Sequence, residues 1–123
     1  MTVNAQTVVE TFIDAWNRSD MDAAYALMAD DIIWDNIPMG PVQGIEGCKG
    51  LMANFPPIEG IEFITHHISA KGNVVMTERT DKFLVGGTWR AIRLMGIFEI
   101  NDAGKVQAWR DYFDMAEFQR EFA

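Results

Sequence analysis

The chain has 123 residues, 18 Asp and Glu against 10 Lys and Arg, a formal charge of −8, one cysteine and two histidines. That length supports one hydrophobic core, so residues 1–123 read as a single domain. The negative surplus argues against nucleic-acid and membrane partners. Cys48 alone cannot form an internal disulfide, and with the adjacent His66 and His67 it falls short of any zinc spacing, so no metal site is expected.

At 49% hydrophobic and 23% charged, the chain is too apolar to be disordered. Its N-terminus lacks a basic segment leading into an apolar stretch, and no run of about 18 apolar residues occurs, so the expected location is the cytoplasm. Val8, Val9, Phe12, Ile13 and Trp16 recur at helical spacing and predict a first helix from Thr2 or Asn4 to Arg18-Ser19. Asp20 is an N-cap for a second helix, with Ala23, Ala24, Leu27 and Met28 as its buried stripe before Asp30-Asp31. Residues 32–36 read as a strand that stops at Pro38, 39–44 as a loop, and 45–54 as a short helix with Cys48 as a buried thiol.

From Ile61 the pattern changes to strands, at 62–69, 73–85, 88–101 and 105–113, with turns at 71–73, 86–87 and 101–104. Asp114 then caps a final helix over 115–122, in which Met115, Phe118 and Phe122 share a face, while Glu10, Asp30-Asp31 and Glu117 to Glu121 read as solvated. Helices followed by an antiparallel meander is an α+β order. The expected fold is a cone-shaped, curved antiparallel or mixed β-sheet with N-terminal helices packed over its concave face, open at one end for a small ligand.

Side chains alternate along a strand, so Val75, Thr77, Arg79, Asp81 and Phe83 share one face. The two-residue Gly86-Gly87 loop sets Asp81 opposite Ile92, Arg79 opposite Leu94 and Thr77 opposite Gly96. A four-residue turn at 101–104 without bulges sets Leu94 opposite Asp111 and Ile92 opposite Phe113, which places Arg79, Leu94 and Asp111 in one row. An ion among apolar neighbours is costly unless paired, and one Arg between two carboxylates donates to both. Two negative charges about 4 Å apart repel by roughly 4 kcal/mol at an effective dielectric near 20, so one carboxyl should stay protonated. An acid and a carboxylate side by side suit general acid and general base work in one step; the plainer reading of the same residues is a structural salt bridge. His66 and His67 alternate faces and read as strand histidines bonded in or near the core.

The segments VMTERTD at 75–81, MGIFEI at 95–100, GKV at 104–106 and above all WRDYFD at 109–114, together with WDNIP at 34–38, resemble limonene-1,2-epoxide hydrolases. The similarity runs over nearly the whole chain. It implies the cone shared with nuclear transport factor 2 and ketosteroid isomerase, usually as a homodimer, with no metal or organic cofactor. It also implies site roles: Asp81 as the acid that protonates the epoxide oxygen, Arg79 as the bridging guanidinium, Asp111 as the base that takes a proton from water, and Asn36 as an amide that holds the water. Where the family usually has a water-holding tyrosine this chain has Trp34, which only donates; it either binds the water oxygen or is a core aromatic.

Epoxide opening by water needs a proton on the leaving oxygen and a strengthened nucleophile, which the two aspartates supply without a covalent intermediate. Leu94, Ile92, Phe83, Phe113 and some of the methionines form an apolar wall for a terpene-like or cycloaliphatic epoxide, although most methionines read as core filler. Two other functions fit the same cone: a proton-transfer isomerase or polyketide cyclase, and a non-catalytic binding or dimerisation module.

Overall fold

A computed structural model of the protein describes residues 3–122. Helix α1 (Ala5–Asn17) starts at the predicted cap, where Asn4 Oδ1 accepts from the Thr7 N–H at 3.0 Å; Thr2, the other predicted start, lies outside the described residues. The face carrying Val9, Phe12, Ile13 and Trp16 is buried. Asp20 Oδ1 caps α2 (Met21–Ala26) by accepting from Ala23 N–H at 3.1 Å. This helix is shorter than predicted. The carbonyls of Ala26 and Leu27 accept from Lys105 Nζ and Val106 N–H, both at 2.8 Å, and that partner draws Met28 out of the helix into a strand. Strand β1 (Met28–Asn36) therefore begins four residues before the expected Ile32, with Asp30 and Asp31 exposed in it rather than at a helix end.

The expected 39–44 loop instead contains a short edge strand, β2 (Gly40–Gln43), paired antiparallel to β1 after a turn closed by Met39 N–H on Asn36 O at 2.7 Å. A bare β1 edge would leave a row of unpaired amides, and β2 covers it. Pro41, which has no N–H to give, is tolerated there because the strand is at the sheet margin. Helix α3 (Gly44–Ala53) packs on β1 and buries Cys48 completely, as expected for a structural thiol; burial pushes that thiol up to about 11.

Strands β3 (Gly60–Lys71), β4 (Val74–Val85), β5 (Thr88–Ile100) and β6 (Val106–Tyr112) form the predicted meander. The whole is one six-stranded sheet in the order β2-β1-β6-β5-β4-β3, mixed because β1 runs parallel to β6. Helix α1 lies across β3, β4 and β5. Its Phe12 and Trp16 meet Phe98, Trp109 and Phe63 at ring centroid distances of 5.3–6.0 Å. This aromatic layer is the core, and the open end of the sheet beyond it forms the cavity.

Both glycines of the β4–β5 loop have positive φ, +59° and +76°, the primed turn that matches strand twist, and the β4–β5 pairing is the predicted one throughout. The β5–β6 pairing is not. Asn101 Oδ1 accepts from both Ala103 and Lys105 N–H at 3.0 Å, a side-chain-closed turn that makes Ile100 face Val106 instead of Lys105. A bulge follows at Gln107, whose side chain is held by Asn101 and Asp31. Together they slide β6 by two residues, so Asp111 faces Gly96, not Leu94, and the expected Ile92–Phe113 pairing is absent.

A second bulge, between Thr65 and His67 in β3, leaves both histidines exposed, against the expected placement near the core. Helix α4 (Met115–Phe122) is capped by Asp114, which accepts from Glu117 N–H at 3.0 Å. Glu117 and Glu121 do more than face solvent: Glu117 binds Arg93 at 2.7 Å and accepts from its N–H, and Glu121 O accepts from Arg90, which straps α4 to β5.

Candidate active site

Arg79 is the centre of the site and is 1% exposed. It sits in mid-strand on the concave face of β4, between Thr77 and Asp81, and every polar edge of its guanidinium is used. Nε and Nη2 donate to the two oxygens of Asp81 at 3.1 and 2.9 Å, and Nη2 also reaches both oxygens of Asp111 at 3.1 Å. Nη1 donates to Thr77 Oγ1 at 2.9 Å, and that hydroxyl donates on to Gly96 O at 3.0 Å. Its planar carbon lies 5.5 Å from the rings of Phe63 and Phe98. A buried cation is tolerable only with this much compensation.

The two-residue slide of β6 makes the arrangement possible. Arg79 crosses to Asp111 diagonally over Gly96, and a Cβ at 96 would collide with Arg79 Nη1 and stand 2.5 Å from Asp111 Oδ1. In the predicted register a leucine would have stood in the path. Trp109 Nε1 donates to Asp111 Oδ1 at 2.8 Å, fixing the second carboxylate from its own strand. Thr77, Gly96 and Trp109 were not singled out from the sequence as site residues. Thr77 and Gly96 were legible as cross-strand partners beside Arg79, whereas nothing in the spacing shows that the Trp109 N–H turns toward Asp111.

Asp81 and Asp111 are 3% exposed. Burial pushes the Asp111 carboxyl up to about 6; Arg79 opposes the rise, the charge of Asp81 adds to it, and the Trp109 bond opposes it. Arg79 is held charged: burial disfavours the cation, but the pull of Asp111 and Asp81 outweighs it and raises the guanidinium above its ordinary value. The Asp111 carboxyl therefore holds its proton more tightly than an ordinary aspartate does.

Asp81 and Asp111 form the polar end of one cavity, with Asn36 and Trp34 also lining it. Asn36 is the register partner of Asp111 across the parallel β1–β6 pair, and the Asp111 carbonyl accepts from Ile37 N–H at 3.0 Å. Trp34 is 6% exposed and stacks on Trp109 at 4.4 Å with the rings 5° apart; its indole N–H has no partner among the described residues. It is thus a core aromatic that also lines the cavity. Leu94, Ile92, Phe83 and Phe113 line the same cavity. Of the methionines, Met39 and Met52 line it and Met28 is buried, while Met76 and Met95 stand on the outer face, so the filler reading holds for only some. Phe118 and Phe122 of α4 form part of its mouth. The centre of a water molecule can move over about 50 Å³ inside, several times what one water needs, which fits a compact apolar ligand with polar chemistry at one end. Among the described residues no helix is long and apolar enough to cross a membrane.

Residues 3–123 match the limonene-1,2-epoxide hydrolase catalytic domain. Epoxide hydrolase EphG of Mycobacterium tuberculosis (strain ATCC 25618 / H37Rv) is 34% identical over 107 residues, which cover 87% of this chain and 71% of that protein. A solved structure of an M. tuberculosis LEH-like epoxide hydrolase superposes with a TM-score of 0.83 at 31% identity, covering 96% of this chain and 88% of that one. An NTF2-like protein of unknown function from Burkholderia pseudomallei K96243 superposes with a TM-score of 0.84, covering 97% of each chain; at 19% identity it speaks for the fold alone. The chain belongs to the limonene-1,2-epoxide hydrolase family, has the NTF2-like fold and is an epoxide hydrolase.

Proposed function

We propose that the protein adds water to a small lipophilic epoxide, terpene-like or cycloaliphatic, in one step through Asp81, Arg79 and Asp111, giving a vicinal diol. The observation that supports this most is one buried guanidinium bonded to two carboxylates that both line an apolar cavity. In the reactive form Asp81 carries the proton to be delivered and Asp111 is ionised. Water enters between Asp111 and Asn36, with the Trp34 N–H donating to its oxygen. Asp111 removes one proton as the water oxygen bonds to an epoxide carbon; the C–O bond breaks and Asp81 gives its proton to the leaving oxygen. The proton count balances: Asp111 ends protonated, Asp81 ionised, and Arg79 bridges them throughout. Supplying acid and base together avoids a free alkoxide or hydroxide. Thr77 and Trp109 act by holding Arg79 and Asp111 in place. An isomerase needs one carboxylate and free oxyanion donors, whereas here the Arg79 donors are taken up by Asp81, Asp111 and Thr77. The working unit is a homodimer in the cytoplasm, joined through the outer face of the sheet, where Met76, Met95 and Tyr112 are exposed together.

Incubation with limonene 1,2-epoxide should yield diol. Asp81→Asn and Asp111→Asn should each reduce it to below about 1% of wild type, in line with general acid or base contributions of roughly 10²–10⁴-fold, with circular dichroism unchanged. More than a few per cent of activity in either variant overturns the reading. In ¹⁸O-water a single turnover should place the label in the diol; label found first in an aspartate would mean covalent attack.

A further inference from the structure

Strand β5 outruns its neighbour. It starts at Thr88, but β6 pairs with it only from Met95 onward, so residues 88–94 have no strand on that side among the described residues. An uncovered edge of this kind leaves backbone amides without partners. Helix α4 covers it with two carboxylates. Glu117 Oε2 accepts from Arg93 N–H at 2.8 Å and Glu121 Oε1 from Ala91 N–H at 3.4 Å, so alternate amides of the strand are met by side chains one helical turn apart. The spacings agree: four residues of helix rise about 6 Å and two residues of strand about 6.8 Å. Arg93 Nη2 adds a bond to Glu117 Oε1, and Arg90 Nη1 one to Glu121 O, both at 2.7 Å.

The same helix bridges the cavity mouth. Phe118 meets Phe55 at a centroid distance of 6.4 Å and Phe113 at 5.7 Å, and Phe122 meets Phe83 at 5.9 Å. All five rings line the cavity, and rings in contact at these distances leave no passage between them for a compact cyclic molecule. Yet no residue of α4 is fully buried, and in its Arg93–Glu117 pair the arginine side chain is 81% exposed. Exposed ion pairs hold weakly and are screened by salt, so the helix that closes the mouth is fastened by bonds that open readily. We propose that α4 is a lid on the cavity, hinged at residues 113–114 and latched to the free edge of β5 by Glu117 and Glu121, and that a ligand enters and leaves only while the latch is open. This concerns passage rather than chemistry. Asp111, two residues before the hinge, stays bound to Arg79 and Trp109 while the helix swings.

Limonene carries no epoxide, so its binding reads the lid without hydrolysis, and stopped-flow tryptophan fluorescence can follow it because Trp16, Trp34 and Trp109 line the cavity. Glu117→Ala should raise the association and dissociation rate constants together, each about five- to tenfold, the worth of one net hydrogen bond. Kd should stay within about twofold, because the latch closes alike over the empty and the filled cavity. In wild type, raising NaCl from roughly 0.05 to 1 M should speed both rates at least about twofold, and in Glu117→Ala it should not. A fixed wall behaves differently: its loosening raises dissociation and Kd together and leaves association unchanged. That pattern, rates untouched by the substitution, or no limonene binding at millimolar concentration each overturns the proposal. If Glu117→Ala does not fold, Arg93→Ala, which breaks the pair from the strand side, takes its place with the same expectations. The outcome does not depend on whether limonene 1,2-epoxide yields diol, which tests the hydrolase reading separately.

Discussion

A methyl group at position 96 would occupy the space now shared by Arg79 Nη1 and Asp111 Oδ1. Gly96→Ala is expected to cost about 1–3 kcal/mol in urea unfolding, as overpacking does, and to lower kcat/KM at least about 100-fold because the guanidinium can no longer reach both carboxylates. A near-normal rate in a folded variant would show that the close approach across Gly96 is dispensable. The raised Asp111 carboxyl has a consequence for stability. Its ordinary value is 3.8 and its folded one about 6, so between these the folded state binds more protons than the unfolded one. Stability therefore falls as pH rises through that window, by up to about 3 kcal/mol. Asp111→Asn should remove the effect, unfolding at higher urea than wild type at pH 7 and at nearly the same urea at pH 4.

At the scale of elements, α4 is the least integrated part of the structure and the one that shapes the cavity mouth. It has no fully buried residue, and its rings join others at the opening, Phe118 to Phe55 and Phe113 and Phe122 to Phe83, at 5.7–6.4 Å. Phe118→Ala should raise KM for a small epoxide up to about tenfold while leaving kcat near wild type, since the contact is made alike in ground and transition states. Its effect on unfolding should stay below about 2 kcal/mol because the ring is only half-buried. Steady-state kinetics and a urea curve check both. The strands differ in how readable they were. The β4–β5 register followed from a loop of two glycines, which admits one geometry, so the placing of Arg79 beside Gly96 and Leu94 was legible. The β5–β6 register was not, because Asn101 closes a longer turn with its side chain and Gln107 bulges out to bind Asp31, a residue 76 positions away. The end of α2 was hidden for the same reason: the groups that stop it belong to Lys105 and Val106, at the entry to β6.

For the whole molecule, the aromatic layer closes the cone on one side of the sheet, while the other side keeps Met76, Met95 and Tyr112 at 40%, 50% and 46% exposure despite the chain's many charges. Met95 faces Tyr112 directly and Met76 lies diagonal to it one strand over, so the three form one patch. Met95→Glu is expected to hold the protein as a monomer in sedimentation at concentrations where the wild type is a dimer, since a second copy would have to bury the new charge. A wild type that sediments as a monomer would rule out the dimer.

Composition and local pattern by themselves determined the α+β order, the caps at Asp20 and Asp114, a first helix starting at Thr2 or Asn4, the long meander, and the face on which Arg79 and Asp81 lie, because caps, turns and alternation are set by neighbours along the chain. They also narrowed the chemistry to carboxylates. Only the tertiary structure decided that Asp111 meets Arg79 across a glycine, that Trp109 holds it, and that Trp34 stacks on Trp109 beside the cavity. These depend on a two-residue slide and on the packing of a helix against a curved sheet, which balance contacts between segments far apart in sequence and leave no periodic trace in it.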